Sequence, residues 1–312
     1  MSSKKIVKSN KKIHPPFGYF GSKNRIALKL CDNLPPHNCW VEAFCGSASL
    51  TLRKEPAAIE VINDIDDEIV NCFEQLRNNR DELCRVIALT PYAEQELKFS
   101  RLNGHELSNL EKARRFLIQS MMAINGVFGE ERGGFSYSDS YSRNGKDARV
   151  NRWYNLPARL EPIVERLRDT RVTHEDARKL LQKYLKRPAT LVYLDPPYFS
   201  DRTNGYNNEA NNEEFHEELL NLANEANCMI FISGYESELY NSLLSKERGW
   251  KRKKIVTATK DSQGKSHKRI EIVWMNKYYL QALKKKSINI HLTTKEIKQN
   301  KINPERKSFK LS

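Results

Sequence analysis

Long hydrophobic runs are missing from this 312-residue sequence. No stretch approaches the roughly 18 apolar residues that a membrane span requires, and the lysine-rich start has no apolar segment behind it. Neither a spanning helix nor a secretory leader is expected, and the protein should not partner a membrane. Cysteine is sparse as well. Its six copies, at 31, 39, 45, 72, 84 and 228, form no C-x-x-C pair, and several fall in apolar periodic segments where small buried thiols belong. A reduced, cytoplasmic protein without a cysteine zinc site follows. The seven histidines show no H-x-E or H-E-x-x-H spacing and no serine sits in a nucleophile elbow, so neither a metal nor serine hydrolysis is expected. No internal repeat is present.

Hydrophobic residues make up 39% and charged residues 29% of the chain, which suits an ordered protein with a full core. Its net charge of +14 is unevenly spread. Residues 1–12 hold five lysines and no acid, and residues 284–312 hold nine Lys or Arg against Glu296 and Glu305. Two basic arms therefore flank a nearly neutral body. Such arms suit a polyanion, because each neutralised phosphate releases counterions, although solubilising termini explain the charge equally well.

Periodicity divides the body into three parts. After Ser22, Ala27, Cys31 and Leu34 recur at helical spacing until Pro35-Pro36 stops the run. Residues 39–44 read as a strand, Gly46-Ser47 as a turn, 49–53 as a brief helix and 58–63 as a second strand, with a helix from Asp66 onward. This βαβα order predicts a parallel sheet. From 77 to 170 the strand signal vanishes and helical periodicity alternates with a Gly/Ser/Asn/Tyr-rich stretch at 125–147, which predicts an inserted helical domain. The sheet resumes at 171–174 and continues in 190–194, an apolar run of the kind buried on both faces. Helix 213–226, strand 228–233 and helix 235–245 follow. The stretches 254–258 and 270–276 have no helix between them and should pair as a hairpin around the loop 259–268. Catalytic residues are thus expected in 13–76 and 171–283, and target recognition in 77–170.

The sharpest chemical feature is Asp195-Pro196-Pro197-Tyr198 at the end of strand 190–194. Ligands of open α/β sheets sit beyond the carboxyl ends of strands. Two prolines fix the backbone and remove two N–H donors, which leaves rigid acceptors. The Asp195 carboxylate and the Pro196 carbonyl suit the two hydrogens of an amino group, and Tyr198 offers a face for stacking a flat base. Gly46, after the first strand, permits close backbone approach of a nucleoside-type ligand. Asp64, at the end of the second strand, suits a pair of ribose hydroxyls, and Asp176 holds a corresponding place after the third. Gly264-Lys265-Ser266 looks like the end of a phosphate loop, but Thr259 stands where its first glycine belongs, so nucleotide hydrolysis is not indicated.

Four ordered pieces together resemble the Dam-type family of DNA adenine methyltransferases over most of residues 15–280. Tyr19-Phe20-Gly21-Ser22-Lys23 looks like the family's N-terminal motif, whose aromatic and lysine contact the cofactor. Val41 to Ala48, with Glu42, Phe44 and Gly46, looks like its V-E-P-F-x-G-x-G loop. Asn63-Asp64-Ile65-Asp66 looks like its D-I-N segment, and Asp195 to Tyr198 completes the set. The resemblance implies a Rossmann-like methyltransferase sheet, S-adenosylmethionine as cofactor and methylation of the adenine amino group in a short double-stranded DNA sequence, with the base flipped out. Ala43 and Ala48 depart from the family pattern, replacing its proline and its second glycine. In the insertion, Arg143, Lys146, Arg149 and Arg152 are interleaved with Tyr137, Tyr141, Trp153 and Tyr154, a basic and aromatic pattern that suits nucleic acid. A solvated loop anchored by Trp153 is the plainer alternative. Asp201-Arg202-Thr203 and Tyr206 resemble the family's loop that closes over the base. An RNA or other planar-amine methyltransferase and a silent DNA-binding homologue remain rivals. A monomer in a prokaryotic or phage-infected cell is expected, with a cognate restriction endonuclease left open.

Overall fold

The computed structural model describes residues 13–19, 22–102, 106–124, 126, 133–137, 142–143, 145–197, 213–260 and 266–288. Seven strands form one mixed sheet: β1 (Cys39–Glu42), β2 (Ile59–Asn63), β5 (Thr170–Thr173), β6 (Thr190–Leu194), β7 (Met229–Gly234), β8 (Lys251–Lys260) and β9 (Ser266–Met275). Their order in space is β5-β2-β1-β6-β7-β9-β8. The first five are parallel, and β9 and β8 join antiparallel at the far edge. The chain moves outward from β1 through β2 to β5, then crosses back to lay β6 on the other side of β1. That reversal opens a crevice above the carboxyl ends of β1 and β6.

Both central strands are buried at every residue, which is why they read as continuous apolar runs rather than alternating ones. On one face α8 (Ala177–Tyr184), α9 (Glu213–Glu225) and α10 (Glu238–Leu243) cover Val41, Val192 and Ile230 with Leu180, Leu219 and Tyr240. On the other, a 3₁₀ turn (Lys23–Arg25), α1 (Ala27–Cys31) and α11 (Lys277–Lys285) cover Trp40, Leu191, Tyr193 and Phe231. Each fully buried leucine contributes about 1.5–3 kcal/mol of burial.

The remaining helices are α2 (Asp67–Asn78), α3 (Arg80–Leu89), α4 (Glu94–Ser100), α5 (Asn109–Met122), α6 (Ala148–Tyr154) and α7 (Leu156–Leu167). They share a core of Phe73, Leu83, Phe116, Leu117 and Leu160, against which Ile62 of β2 and Val172 of β5 also pack. Ser108 caps the α5 start, its Oγ accepting from the Glu111 N–H at 3.2 Å. Among the described residues no helix is long and apolar enough to cross a membrane.

Several elements differ from the sequence reading. Residues 49–53 form turns, not a helix, because the Glu42 carboxylate captures the Leu50 and Thr51 N–H groups and Ala48 sits at φ +53°. Leu34 falls beyond α1, which ends at Cys31. The insertion carries a two-residue ladder, β3 (Ser142–Arg143) with β4 (Lys146–Asp147). The hairpin ladder runs further than expected, from Lys251↔Met275 to Lys260↔Ser266. At the C-terminus Lys284 and Lys285 belong to α11, so the basic tail begins inside a helix. Residues 1–12 and 289–312, most of the two arms, lie outside the described residues.

Candidate active site

Strand alternation sets the floor of the crevice. Tyr193 points to the α1 side of the sheet, and Asp195, two residues on, keeps to that side, as do Phe231 and Ser233 of β7 and Glu271 and Val273 of β9. Three polar side chains thus stand in a row on neighbouring strands. Lys23, from the turn above, closes the row: its Nζ lies 2.7 Å from Asp195 Oδ1 and 3.2 Å from Glu271 Oε1. Ser233 Oγ donates to the same Asp195 oxygen at 2.7 Å and is 2.6 Å from the Tyr193 hydroxyl. Lys23 is only 5% exposed. Burial works against its charge, but Asp195 and Glu271 outweigh it and hold its pKa above the ordinary lysine value. Pro196 is buried and Pro197 half-buried, directly following Asp195 beyond the end of β6. Tyr198 and the loop residues Asp201, Arg202, Thr203 and Tyr206 lie outside the described residues.

A second cluster sits at the ends of β1 and β2. Gly46 has φ +47°, and a Cβ built there would meet the Tyr19 ring at 3.0 Å, so both conformation and space call for glycine. Its N–H donates to Asp64 Oδ2 at 2.8 Å. Gly46 thus lies between the Tyr19 ring and the Asp64 carboxylate. Ser22, Ser47 and Ser49 join hydroxyls at 3.0 Å each and tie the N-terminal motif to the glycine turn. Burial raises the Asp64 pKa to about 6, against the Gly46 and Asp66 N–H groups that favour its charge.

The other cofactor candidates take different places. The Glu42 carboxylate is buried and turned to the Leu50 and Thr51 N–H groups and the Thr51 hydroxyl, so it shapes the loop from behind; burial pushes its pKa up to about 7. Phe44 is half-buried and meets Phe215 of α9 edge-on at 6.3 Å, and the Arg178 guanidinium stacks on Phe215 at 4.7 Å. Asp176 caps α8, accepting from the Arg178 N–H at 2.7 Å, and pairs with the Arg178 side chain, which holds its carboxyl below the usual range. Phe44 and Asp176 thus end one continuous rim of the crevice.

The two departures in the loop have structural counterparts. Ala43 N–H donates to the Tyr193 carbonyl at 3.1 Å, extending the β1–β6 ladder by a bond that proline cannot make. Ala48 adopts the left-handed conformation at φ +53° without being glycine, and its methyl is fully buried. Sequence reasoning missed Ser233 and Glu271, and it quoted Asn63 in the Asn63–Asp66 segment without giving it a role. The Asn63 amide donates to the Ala43 and Glu175 carbonyls and accepts from Thr173 Oγ1 and the Glu175 N–H, pinning β1, β2 and β5 at the crevice floor.

The family model of the D12 class N6 adenine-specific DNA methyltransferases matches residues 19–302, a span that includes both clusters. The chain belongs to this family. It is an adenine-specific DNA methyltransferase. Type II methyltransferase M1.LlaDCHI of Lactococcus lactis subsp. cremoris is 24% identical over 206 residues, covering 62% of this chain and 69% of that protein. Among solved structures, yhhF from Escherichia coli, described as a methyltransferase, aligns over 81% of this chain and 82% of its own at 12% identity and a TM-score of 0.31. Precorrin 8w decarboxylase of Methanobacterium thermoautotrophicum aligns over 81% and 87% at 10% identity and a TM-score of 0.30. The strand order above, not these distant likenesses, defines the fold as Rossmann-like.

In this methyltransferase the insertion presents a basic and aromatic surface. Arg149 and Lys146 are exposed, Lys146 Nζ stands 4.5 Å above the Tyr154 ring, and Tyr137 is 71% exposed. Arg152 reaches toward Gly18, where a built Cβ would meet its Nη2 at 3.9 Å, so it faces the N-terminal motif. Trp153 is buried, and its Nε1 donates to the Thr90 carbonyl at 2.7 Å, which makes it the anchor of this surface. Arg143 lies on β3, and Tyr141 is outside the described residues. Among the described residues no group of three or more His, Cys, Asp or Glu is placed to hold a metal ion.

Proposed function

We propose that this methyltransferase uses S-adenosylmethionine to methylate the N6 amino group of adenine at one short double-stranded DNA sequence, with the base turned out of the helix. The observation that carries the reading is the anchored Asp195 carboxylate at the end of β6, across the crevice from the Tyr19–Gly46–Asp64 cluster. The residues present fit the cofactor: a left-handed glycine under an aromatic ring admits a close-packed ligand, and a carboxylate at the next strand end suits two ribose hydroxyls. When bound, S-adenosylmethionine supplies a methyl group on a sulfonium centre.

The chain's own residues do the rest. The adenine amine is a poor nucleophile because its lone pair is delocalised into the ring. Lys23 and Ser233 hold Asp195 by Oδ1, so that Oδ2 is turned to receive one amine hydrogen while the Pro196 carbonyl takes the other. Both bonds favour a pyramidal nitrogen with its lone pair facing the cofactor side. The target atom is inaccessible in a duplex, and Tyr198 is assigned to stack the extruded base. Phosphate and base contacts are assigned to Tyr137, Arg143, Lys146, Arg149 and Arg152, with Glu42, Phe44 and Asp176 framing the cofactor side. The type II relative supports a place in restriction and modification beside a cognate endonuclease. The enzyme is proposed to act as a monomer in the cytoplasm.

Modified-base sequencing of genomic DNA from a methylation-free host that expresses the protein tests this. N6-methyladenine confined to one short motif supports the reading. Unmarked DNA from cells whose purified protein binds S-adenosylmethionine would move the substrate to RNA or another amine.

Two further outcomes follow from the geometry. Because the Asp64 pKa is raised to about 6, the acceptor for the ribose is lost as pH falls through that value. Cofactor affinity measured by calorimetry should therefore weaken from pH 7.5 to 5, and Asp64→Asn should bind weakly at both pH values with that dependence flattened. Arg149→Ala should weaken DNA binding with little dependence on sequence and lower the slope of log affinity against log salt by about 1. An unchanged slope would remove Arg149 from the phosphate contacts.

A further inference from the structure

The longest run of consecutive basic residues in the chain, Lys251-Arg252-Lys253-Lys254, lies on β8, the outermost strand of the sheet. All four are exposed. An edge strand needs some charge to keep it from pairing with another chain. Arg252 and Lys254 meet that need: they turn to the α10 side and share Glu236 at 2.6 and 3.8 Å. Lys251 and Lys253 alternate to the opposite side, with Ile255, which packs into the layer of α1 and α11. Among the described residues neither has an acid within ion-pair distance. Lys29 of α1 comes to the same edge, its Nζ donating to the Val256 carbonyl at 3.4 Å. The opposite edge strand, β5, carries Arg171 as its single cation, so this density of charge is not general to the sheet's edges.

Strand registers fix where these cations stand. Lys253 faces Val273, Val273 faces Ser233, and Ser233 bonds Asp195 on the next strand. Lys253 therefore lies level with Asp195 and on the same face, three strands out, which is about 14 Å at the usual strand spacing. Beyond Lys254 the β8–β9 ladder continues for six residue pairs, to Lys260↔Ser266, and overhangs the carboxyl end of β7 by about 20 Å. The helices of the insertion stand toward the other end of the sheet, against β2 and β5. We infer that Lys251 and Lys253, with Lys29 beside them, form a second DNA contact: they take phosphates of the duplex that flanks the target base, on the side away from the insertion. This inference deepens the proposed function and rests on its placing of the target base at Asp195. Duplex DNA carries one charge per about 1.7 Å of its axis, so a duplex laid across the strand ends brings phosphates to the β8 edge wherever it crosses. With successive nucleotides about 3.4 Å apart on a strand, the edge lies roughly four base pairs from the target base. That is at the margin of a short recognition sequence. The contact thus adds affinity and fixes orientation, and it leaves the choice of bases to the insertion.

Two double variants of the full chain test the idea: Lys251→Gln with Lys253→Gln, and Lys251→Glu with Lys253→Glu. Each is titrated with duplex DNA across a salt series, beside calorimetry of S-adenosylmethionine binding and sedimentation. The glutamine pair should lower the slope of log affinity against log salt by about 2, since each lost phosphate contact removes about 0.9. Its affinity at 0.1 M salt should fall roughly 10–100-fold, with little dependence on sequence. The glutamate pair keeps the edge charged and should bind DNA more weakly still, while both pairs hold the cofactor within about twofold of the wild type. Trimming one flank of the methylated motif below about four base pairs should weaken the wild type and leave the glutamine pair unaffected. An unchanged slope overturns the inference. A glutamate pair that binds DNA as the wild type does overturns it too, since that marks an edge guard and nothing more. So does a loss of cofactor binding in parallel with DNA, the sign of general loosening, or an equal response of wild type and variant to trimming. If the wild type leaves DNA unmethylated, the proposed reaction itself fails, and the salt slopes still decide whether the β8 lysines meet phosphate.

Discussion

Asp195→Ala is expected to lower methyl transfer by about 10²–10⁴ while leaving S-adenosylmethionine binding and the fold in place. The partition follows from what surrounds the carboxylate. Removing it does not strand a buried cation, because Lys23 keeps Glu271 at 3.2 Å. Ser233 keeps the Tyr193 hydroxyl at 2.6 Å. Asp195 itself is partly exposed, its side chain at 15%, so truncation opens the crevice wall and creates no closed cavity in the core. Of the residues proposed to cradle the cofactor, Gly46 and Asp64 bond to each other, and the Tyr19 ring packs over Gly46. What disappears is the proposed acceptor for the amine. Single-turnover incorporation of labelled methyl, set beside calorimetry of cofactor binding, separates the two effects. Retention of more than a tenth of the wild-type rate would remove Asp195 from the chemistry. A parallel loss of cofactor binding would move it into the cradle.

How far the site could be read from the sequence depends on where each partner comes from along the chain. The row Thr190 to Leu194 is apolar at every position because helices cover both faces of β6, and the Asp-Pro-Pro string beyond it needs no tertiary information to be noticed. Gly46 and Asp64 are similar, since each follows a strand visible from its own residues. Glu271 and Ser233 were not visible. Ser233 is one polar residue in the apolar strand β7 and Glu271 one of several on β9, and the meaning of each depends on the registers of β7 and β9, which pair residues such as Ser233 and Val273 forty positions apart. The expected helix at 49–53 failed for a related reason. The stretch read as a brief helix on its own, but the Glu42 carboxylate, fixed on β1, competes for the backbone donors of Leu50 and Thr51. The helices of residues 77–170 were legible from their 3.6-residue period, while the short β3–β4 ladder is too brief to leave any alternation. Trp153 follows the plainer of the two readings its surroundings allowed: it lies among basic residues in the sequence, and its buried ring, bonded to Thr90, anchors them.

Glu60→Gln is expected to destabilise the fold by about 3–5 kcal/mol, the usual consequence of removing one partner from a buried ionic group. Glu60 is 4% exposed on β2 and takes Lys54 Nζ at 2.6 Å, Arg166 Nη1 at 2.5 Å and the Ala57 N–H at 3.0 Å. A glutamine keeps the shape but leaves two cations facing each other and turns an amide donor toward one of them. Burial works against the Glu60 charge, but Arg166 and Lys54 outweigh it and hold its carboxyl below the usual range. Its contribution is therefore complete at neutral pH and is lost only as pH falls through that lowered value, so the difference between wild type and variant should shrink in acid. Urea unfolding at pH 7 and along a descending acid series measures both quantities; equal stability of the two proteins at pH 7 rules the ionic group out as a support. The effect should also reach the crevice. Arg166, on α7 of the insertion, donates to the Thr51 carbonyl at 2.6 Å, and Thr51 in turn holds the Glu42 carboxylate behind the glycine turn. One chain of bonds thus runs from the helices proposed to meet DNA to the loop proposed to meet the cofactor. Loosening Glu60 should weaken S-adenosylmethionine binding severalfold under conditions where the protein is still folded, whereas a purely local support would lower stability and leave the affinity unchanged.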